Sequence, residues 1–109
     1  GYVDYPAAQP DAQPAPKGYW LVQATIHDPA QFGKYTAVAA PVIASYGGTL
    51  LARGLVAEVV EGQVPRRPYL IAFPSYAAAR ACYQSPGYQV AVGLRSGVAD
   101  FDIVVVEGV

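Results

Sequence analysis

Two dipeptides constrain this chain more than any other feature: Asp28-Pro29 and Ser85-Pro86. In each, a short polar side chain that can accept an orphan backbone N–H precedes a proline. The proline's missing N–H and fixed φ suit the first helical position, so each pair marks a helix start. Gln31 adds a residue at the capping-box position of the first. Beyond it Phe32, Tyr35, Ala39, Val42 or Ile43, and Tyr46 recur at three- and four-residue spacing, and Gly47-Gly48 supplies a left-handed ending. A helix is expected to about Tyr46. Pro41 costs a regular helix about 3 kcal/mol, which predicts a kink or break near residues 37–40. Ser75 caps a second helix with Ala78, Ala79, Cys82 and Tyr83 on its apolar face, and Ser85-Pro86 opens a third segment through Arg95.

The remaining segments read as strands. Residues 19–26 alternate so that Trp20, Val22, Ala24 and Ile26 share one face. The other face, Tyr19, Leu21, Gln23 and Thr25, is apolar at its start, which suggests that both sides of the sheet are covered. Residues 49–53 and 56–61 are short β-type runs around Gly54-Leu55, spaced for a hairpin or bulged turn. Residues 62–68 read as an exposed loop in which Arg66 and Arg67 are solvated, and residues 69–73 as an almost wholly apolar, central strand. Residues 100–107 form the last strand. The order β-α-β-β-α-β, its second helix in two pieces, is that of an α+β ferredoxin-like plait: a four- or five-stranded antiparallel sheet with helices on one face.

Composition narrows the function classes. Of 109 residues, 53% are hydrophobic and 14% charged, enough for one domain and not two. Seven Lys and Arg against eight Asp and Glu leave a formal charge of -1, without the basic field that nucleic acid or an anionic membrane attracts. No apolar run approaches the roughly 18 residues of a membrane span. A soluble, cytoplasmic protein is expected; the absence of an initiating Met before Gly1 also fits an exported mature form. One cysteine and one histidine exclude an intrachain disulfide and a Cys/His zinc site within one chain, and neither metal nor cofactor is expected. Residues 1–17, rich in Pro and Ala, read as a flexible tail ahead of a domain spanning 18–109, with a proline-rich recognition segment as the alternative.

From Gly18 to Val109 the sequence resembles the family of uncharacterised proteins grouped as domain of unknown function 1330, in the dimeric α/β-barrel superfamily. The resemblance is carried by Lys17-Gly18-Tyr19-Trp20, Asp28-Pro29, Tyr46-Gly47-Gly48, Arg53-Gly54 and Glu58-Val59-Val60-Glu61-Gly62. It continues in Phe73-Pro74-Ser75, Cys82-Tyr83, Ser85-Pro86 with Tyr88, Leu94-Arg95 and the terminal Val106-Glu107-Gly108-Val109. It departs at Leu55, where the family usually has a second glycine, and at Ala72, where a glutamate commonly precedes the Phe-Pro-Ser. The resemblance implies two copies packed sheet to sheet. It also implies kinship with cofactor-independent monooxygenases, isomerases and related small-molecule enzymes.

Residues that could carry chemistry are few. Asp28 is occupied as a helix cap, His27 lies outside the shared motifs, Gly47-Gly48 follows its helix and so is no phosphate loop, and Cys82 reads as a buried structural thiol. Arg53, Glu61, Tyr88 and Arg95 lie within the shared motifs and are polar groups that packing does not require. They form the candidate ligand-binding set: an Arg to fix a carboxylate or enolate, a Tyr to donate to it, a Glu to take a proton from carbon. The alternative is a structural ion pair of Arg with Glu or Asp. Tyr35, Tyr46 and Tyr83 could line the same pocket or fill the core. The expected function is that of a homodimer that binds a small molecule, with cofactor-independent catalysis of the monooxygenase or isomerase kind as its enzymatic form. The alternative is a structural or interaction module acting through its dimer surface. Catalytic residues stay unassigned, and whether the domain is an enzyme is open.

Overall fold

In the computed structural model, which describes residues 16–55, 57–63 and 66–109, both capped prolines begin helices. The order is β1 (Gly18–Ile26), α1 (Pro29–Ser45), β2 (Thr49–Ala52), β3 (Arg67–Phe73), α2 (Tyr76–Gln84), α3 (Pro86–Leu94) and β4 (Ala99–Glu107). The strands form one antiparallel sheet ordered β2-β3-β1-β4, the ferredoxin-like arrangement. Most of the Pro/Ala-rich tail, residues 1–15, lies outside the described residues. None of the described helices is long and apolar enough to cross a membrane.

Caps set the helix boundaries. Asp28 Oδ1 accepts from the Gln31 N–H at 3.1 Å, while the Asp28 N–H donates to the Val98 carbonyl at 3.2 Å and ties α1 to the turn before β4. Gly47, at φ +79°, closes α1, its N–H donating to Ala44 and that of Gly48 to Ile43. Ser85 serves two helices at once. Its hydroxyl donates to the Cys82 carbonyl at the end of α2 (2.7 Å) and accepts from the Tyr88 N–H at the start of α3 (3.2 Å).

Helices α1 to α3 cover one sheet face. There Trp20 and Val22 meet Ile71, Phe73, Ala79, Cys82 and Tyr88 in the core. Trp20, 1% exposed, is the centre: its ring lies 5.1 Å from Phe73 and 5.0 Å from Tyr88, and its indole N–H donates to the Ala79 carbonyl at 2.9 Å. On the opposite face, the register sets Leu21 beside Leu70 and Val104, and Tyr19 beside Ala72 and Val106. No described element covers this side, and among the described residues Leu21 and Val104 remain 44% and 55% exposed. The two-sided apolar character of β1 is therefore real, but only one side is buried by the described elements.

Three expectations need correction. Helix α1 runs unbroken through Pro41. Pro41 and Ala37, whose carbonyl loses its donor, are both exposed, so water can take the place of the missing bond. The run expected over 56–61 forms no strand among residues 57–63, and Val56 is outside the described residues, so the sheet has four strands among the described residues. β2 pairs with β3 instead, and a β-type composition alone does not make a strand unless its backbone bonds are paired. Arg66 is not a solvated loop residue. It bonds the Asp102 carboxylate, the Thr25 hydroxyl at 3.1 Å and the Asp100 carbonyl at 2.8 Å, joining the approach to β3 to β1 and β4. Arg67 begins β3 and donates to the Arg53 carbonyl at 2.8 Å.

Candidate functional site

Helix α1 does not close fully on the sheet. Between them lies a cavity of about 210 Å³, walled by Trp20, Val22 and Ile71 from the sheet, Phe32 and Ala39 from α1, and Tyr88 from α3. Thr36, Ala40 and Leu50 also line it and are exposed, which places its mouth between α1 and the edge strand β2. None of the described wall residues carries a charge.

The polar features of the site gather around two tyrosines on that wall. Tyr35 faces inward from α1, and Tyr88 sits in the first turn of α3, where the Ser85 cap fixes it. Their hydroxyls are 2.6 Å apart and buried. Arg95, at the C-terminal end of α3 where the helix dipole favours a cation, lays its guanidinium over Phe101 at 4.4 Å and Tyr35 at 5.6 Å. Its Nε is buried without a hydrogen-bond partner. Arg95 also lines a second recess with Tyr83, Phe101, Ile103 and Val105, so Phe101 separates the guanidinium from the main cavity.

Burial holds both phenols protonated. Desolvation drives the Tyr35 pKa far above the ordinary tyrosine value, and the neighbouring Tyr88 adds to the rise while Arg95 opposes it. Tyr88 is raised for the same first reason, with its bond to Tyr35 and the Arg95 charge pulling the other way. Both act as neutral donors near pH 7. The Cys82 thiol is pushed by burial up to about 11. All three native values lie above the ordinary ones, so the unfolded chain releases these protons first as pH rises. Their stabilisation is complete below about pH 9 and is lost as pH climbs through the native values. The urea midpoint should therefore be lower at pH 10.5 than at pH 8, and the double variant Cys82→Ala, Tyr35→Phe should flatten that decline.

Of the four residues singled out from the sequence, the structure brings Tyr88 and Arg95 together. Arg53 is exposed just beyond β2, and Glu61 is exposed in the stretch before β3, where it borders a shallow surface groove with Arg66 and Pro68. Neither lines the cavity. Arg95 forms no ion pair among the described residues, where Arg66 pairs with Asp102 and His27 shares a 2.8 Å hydrogen bond with Asp100. Ala72, where the resembling family commonly carries glutamate, pairs with Tyr19 on the sheet face away from the cavity. Tyr35 completes the site. Its signal was a tyrosine at a core-facing position of α1, whose hydroxyl must find a partner once buried, but a helix pattern does not say which.

A βαββαβ plait with an aromatic cavity beneath its first helix defines an α+β ferredoxin-like domain with room for a small ligand. The chain belongs to the family described as domain of unknown function (DUF1330), whose pattern matches residues 17–109. Among solved structures it is similar to a protein of unknown function from Rhodopseudomonas palustris, with a TM-score of 0.67 at 18% identity over 87% of this chain and 84% of the other. SnoaB, a cofactor-independent oxygenase from Streptomyces nogalater, gives 0.58 at 18% identity over 84% and 92%. A dimeric protein of unknown function with a ferredoxin-like fold from Bacteroides fragilis gives 0.52 at 10% over 84% and 95%. Among curated proteins none matches the chain.

Proposed function

We propose that this chain is a homodimeric small-molecule-binding domain. Its ligand lies in the cavity between α1 and the sheet, and its dimer forms through the open sheet face. The cavity carries the reading: an apolar space of about 210 Å³ with buried hydroxyls at its wall is larger than packing defects in a core of this size. The dimer is supported by the exposed row of Leu21 and Val104 beside Leu70, Tyr19 and Val106, and by the dimeric neighbour of the same fold. SnoaB shows that this fold hosts chemistry without a cofactor. With neutral phenols and no carboxylate or imidazole among the described wall residues, chemistry in this cavity would stabilise a developing negative charge on the ligand rather than begin with a strong base. A cytoplasmic setting belongs to the same reading.

Trp20 is the only tryptophan and forms part of the wall, so the protein contains its own reporter. Toluene should change Trp20 emission saturably, and Ala40→Phe at the mouth should weaken that response about tenfold by filling the entrance. An unsaturable response, or one indifferent to Ala40→Phe, removes the cavity as the site. Native mass spectrometry should show twice the 11.5 kDa chain mass. A monomer would overturn the dimer. A dimer that binds nothing favours the interaction module, whose specific surface is the sheet face alone.

A further inference from the structure

We infer that this cavity selects a compact molecule of about one ring's size that enters uncharged, and that it rejects the same ring once it carries a charge of either sign. The inference rests on the binding reading above and gives the ligand its chemical class.

It follows from what the wall can offer a charge. Trp20, Phe32, Tyr69 and Phe101 present ring surface, and the side-chain polar groups of the described lining are three hydroxyls, those of Thr36, Tyr35 and Tyr88. The Thr36 hydroxyl donates to the Phe32 carbonyl within its own helix at 3.3 Å, and the two phenols share a 2.6 Å bond. The phenol pair keeps one proton to give. That serves a single neutral acceptor such as a carbonyl or ether oxygen, and does not replace the water around a carboxylate.

Two guanidiniums lie against wall rings without lining the space. Arg95 stacks on Phe101 at 4.4 Å, and Arg67 stacks on Tyr69 at 5.0 Å while donating to the Arg53 carbonyl. The rings keep an anion inside the cavity from pairing with either. A cation meets no carboxylate among the described wall residues and two positive charges against its rings. An ion of either sign thus loses its hydration with no partner in return, whereas a neutral ring gains from leaving water.

Volume sets the size. A dry cavity of about 150 Å³ holds benzene, and this one, at about 210 Å³, takes a single ring with a short substituent.

The test compares toluene, benzamide, benzoate and benzylammonium, single rings with one short substituent each, by Trp20 fluorescence on the full chain at pH 7.5. Burial keeps Tyr35 and Tyr88 protonated there, so the wall itself stays neutral. For responses that Ala40→Phe weakens, and which therefore come from the cavity, toluene should bind at least about tenfold more tightly than either ion. Benzamide has the shape of benzoate without its charge and should fall between toluene and benzoate, which separates charge from polarity. Biphenyl should bind no more tightly than toluene despite its larger apolar surface, because its second ring stays in the mouth beside the exposed Leu50. Either ion within about tenfold of toluene, or benzamide no tighter than benzoate, overturns the charge selection and leaves the cavity standing as a binding site. Biphenyl binding more tightly than toluene overturns the size limit in the same way. Saturable binding of none of these compounds overturns both the inference and the binding reading.

Discussion

Trp20→Ala is expected to lower the melting temperature by at least about 15 °C, and in many conditions to leave the chain unfolded. Truncating a buried tryptophan costs about 3–5 kcal/mol in lost packing and residual cavity. Here the ring contacts Phe73, Tyr83 and Tyr88, so β1, β3, α2 and α3 all lose a shared partner. The Ala79 carbonyl inside α2 also loses the indole donor. For a domain of this size each kcal/mol corresponds to about 4–8 °C, and total stability is only about 5–15 kcal/mol. Circular dichroism melts check this. Trp20→Phe separates the contributions: it keeps a ring in the core, loses the indole N–H, and should fall about midway. A Trp20→Ala protein melting within about 5 °C of the parent would mean that the core is not organised around this ring.

Leu21→Asp addresses the other face. In the proposed dimer Leu21 lies beside Leu70 and Val104 in the middle of the shared surface, and two-fold symmetry brings in two copies of every change. At about 2 kcal/mol or more for each desolvated, unpaired carboxylate, the dissociation constant should rise at least about 1,000-fold. Sedimentation equilibrium at micromolar concentration should then show monomer. Because Leu21 is already 44% exposed within one chain, the fold should survive, with Trp20 emission unchanged. A variant that remains dimeric would place the interface elsewhere.

The parts of this structure legible in the sequence are those fixed by local chemistry. Asp28-Pro29 and Ser85-Pro86 placed two helix starts to the residue, because capping requires a particular side chain next to a particular backbone. The alternation of residues 19–26 placed Trp20, Val22 and Ala24 in the core, and the two-piece second helix followed from Ser85. What escaped depended on partners distant in sequence. Residues 57–60 carry β-type composition, yet a strand exists only where its backbone pairs with another. Arg66 reads as loop between prolines until Asp102 and Thr25 arrive from two other strands. Pro41 reads as a breaker because sequence does not say which side of a helix faces water. The site divides the same way. Tyr88 and Arg95 were recognisable from the motifs they sit in, whereas their meeting with Tyr35 across 53 residues of chain is a property of how α1 packs on α3.

At the opposite end of the sheet's central strand, Lys17 just before β1 accepts at its carbonyl from the Gly108 N–H just after β4, at 2.7 Å. The seven described elements therefore start and finish side by side, as a ring opened by a single cut. Where a ring is cut is arbitrary to its packing. A short peptide across Lys17 and Gly108, with new termini in the exposed stretch of residues 57–63, would rename the first and last strands without moving either. The same closeness suits residues 17–108 to being spliced into a surface turn of a host protein, entering and leaving through a gap one hydrogen bond wide.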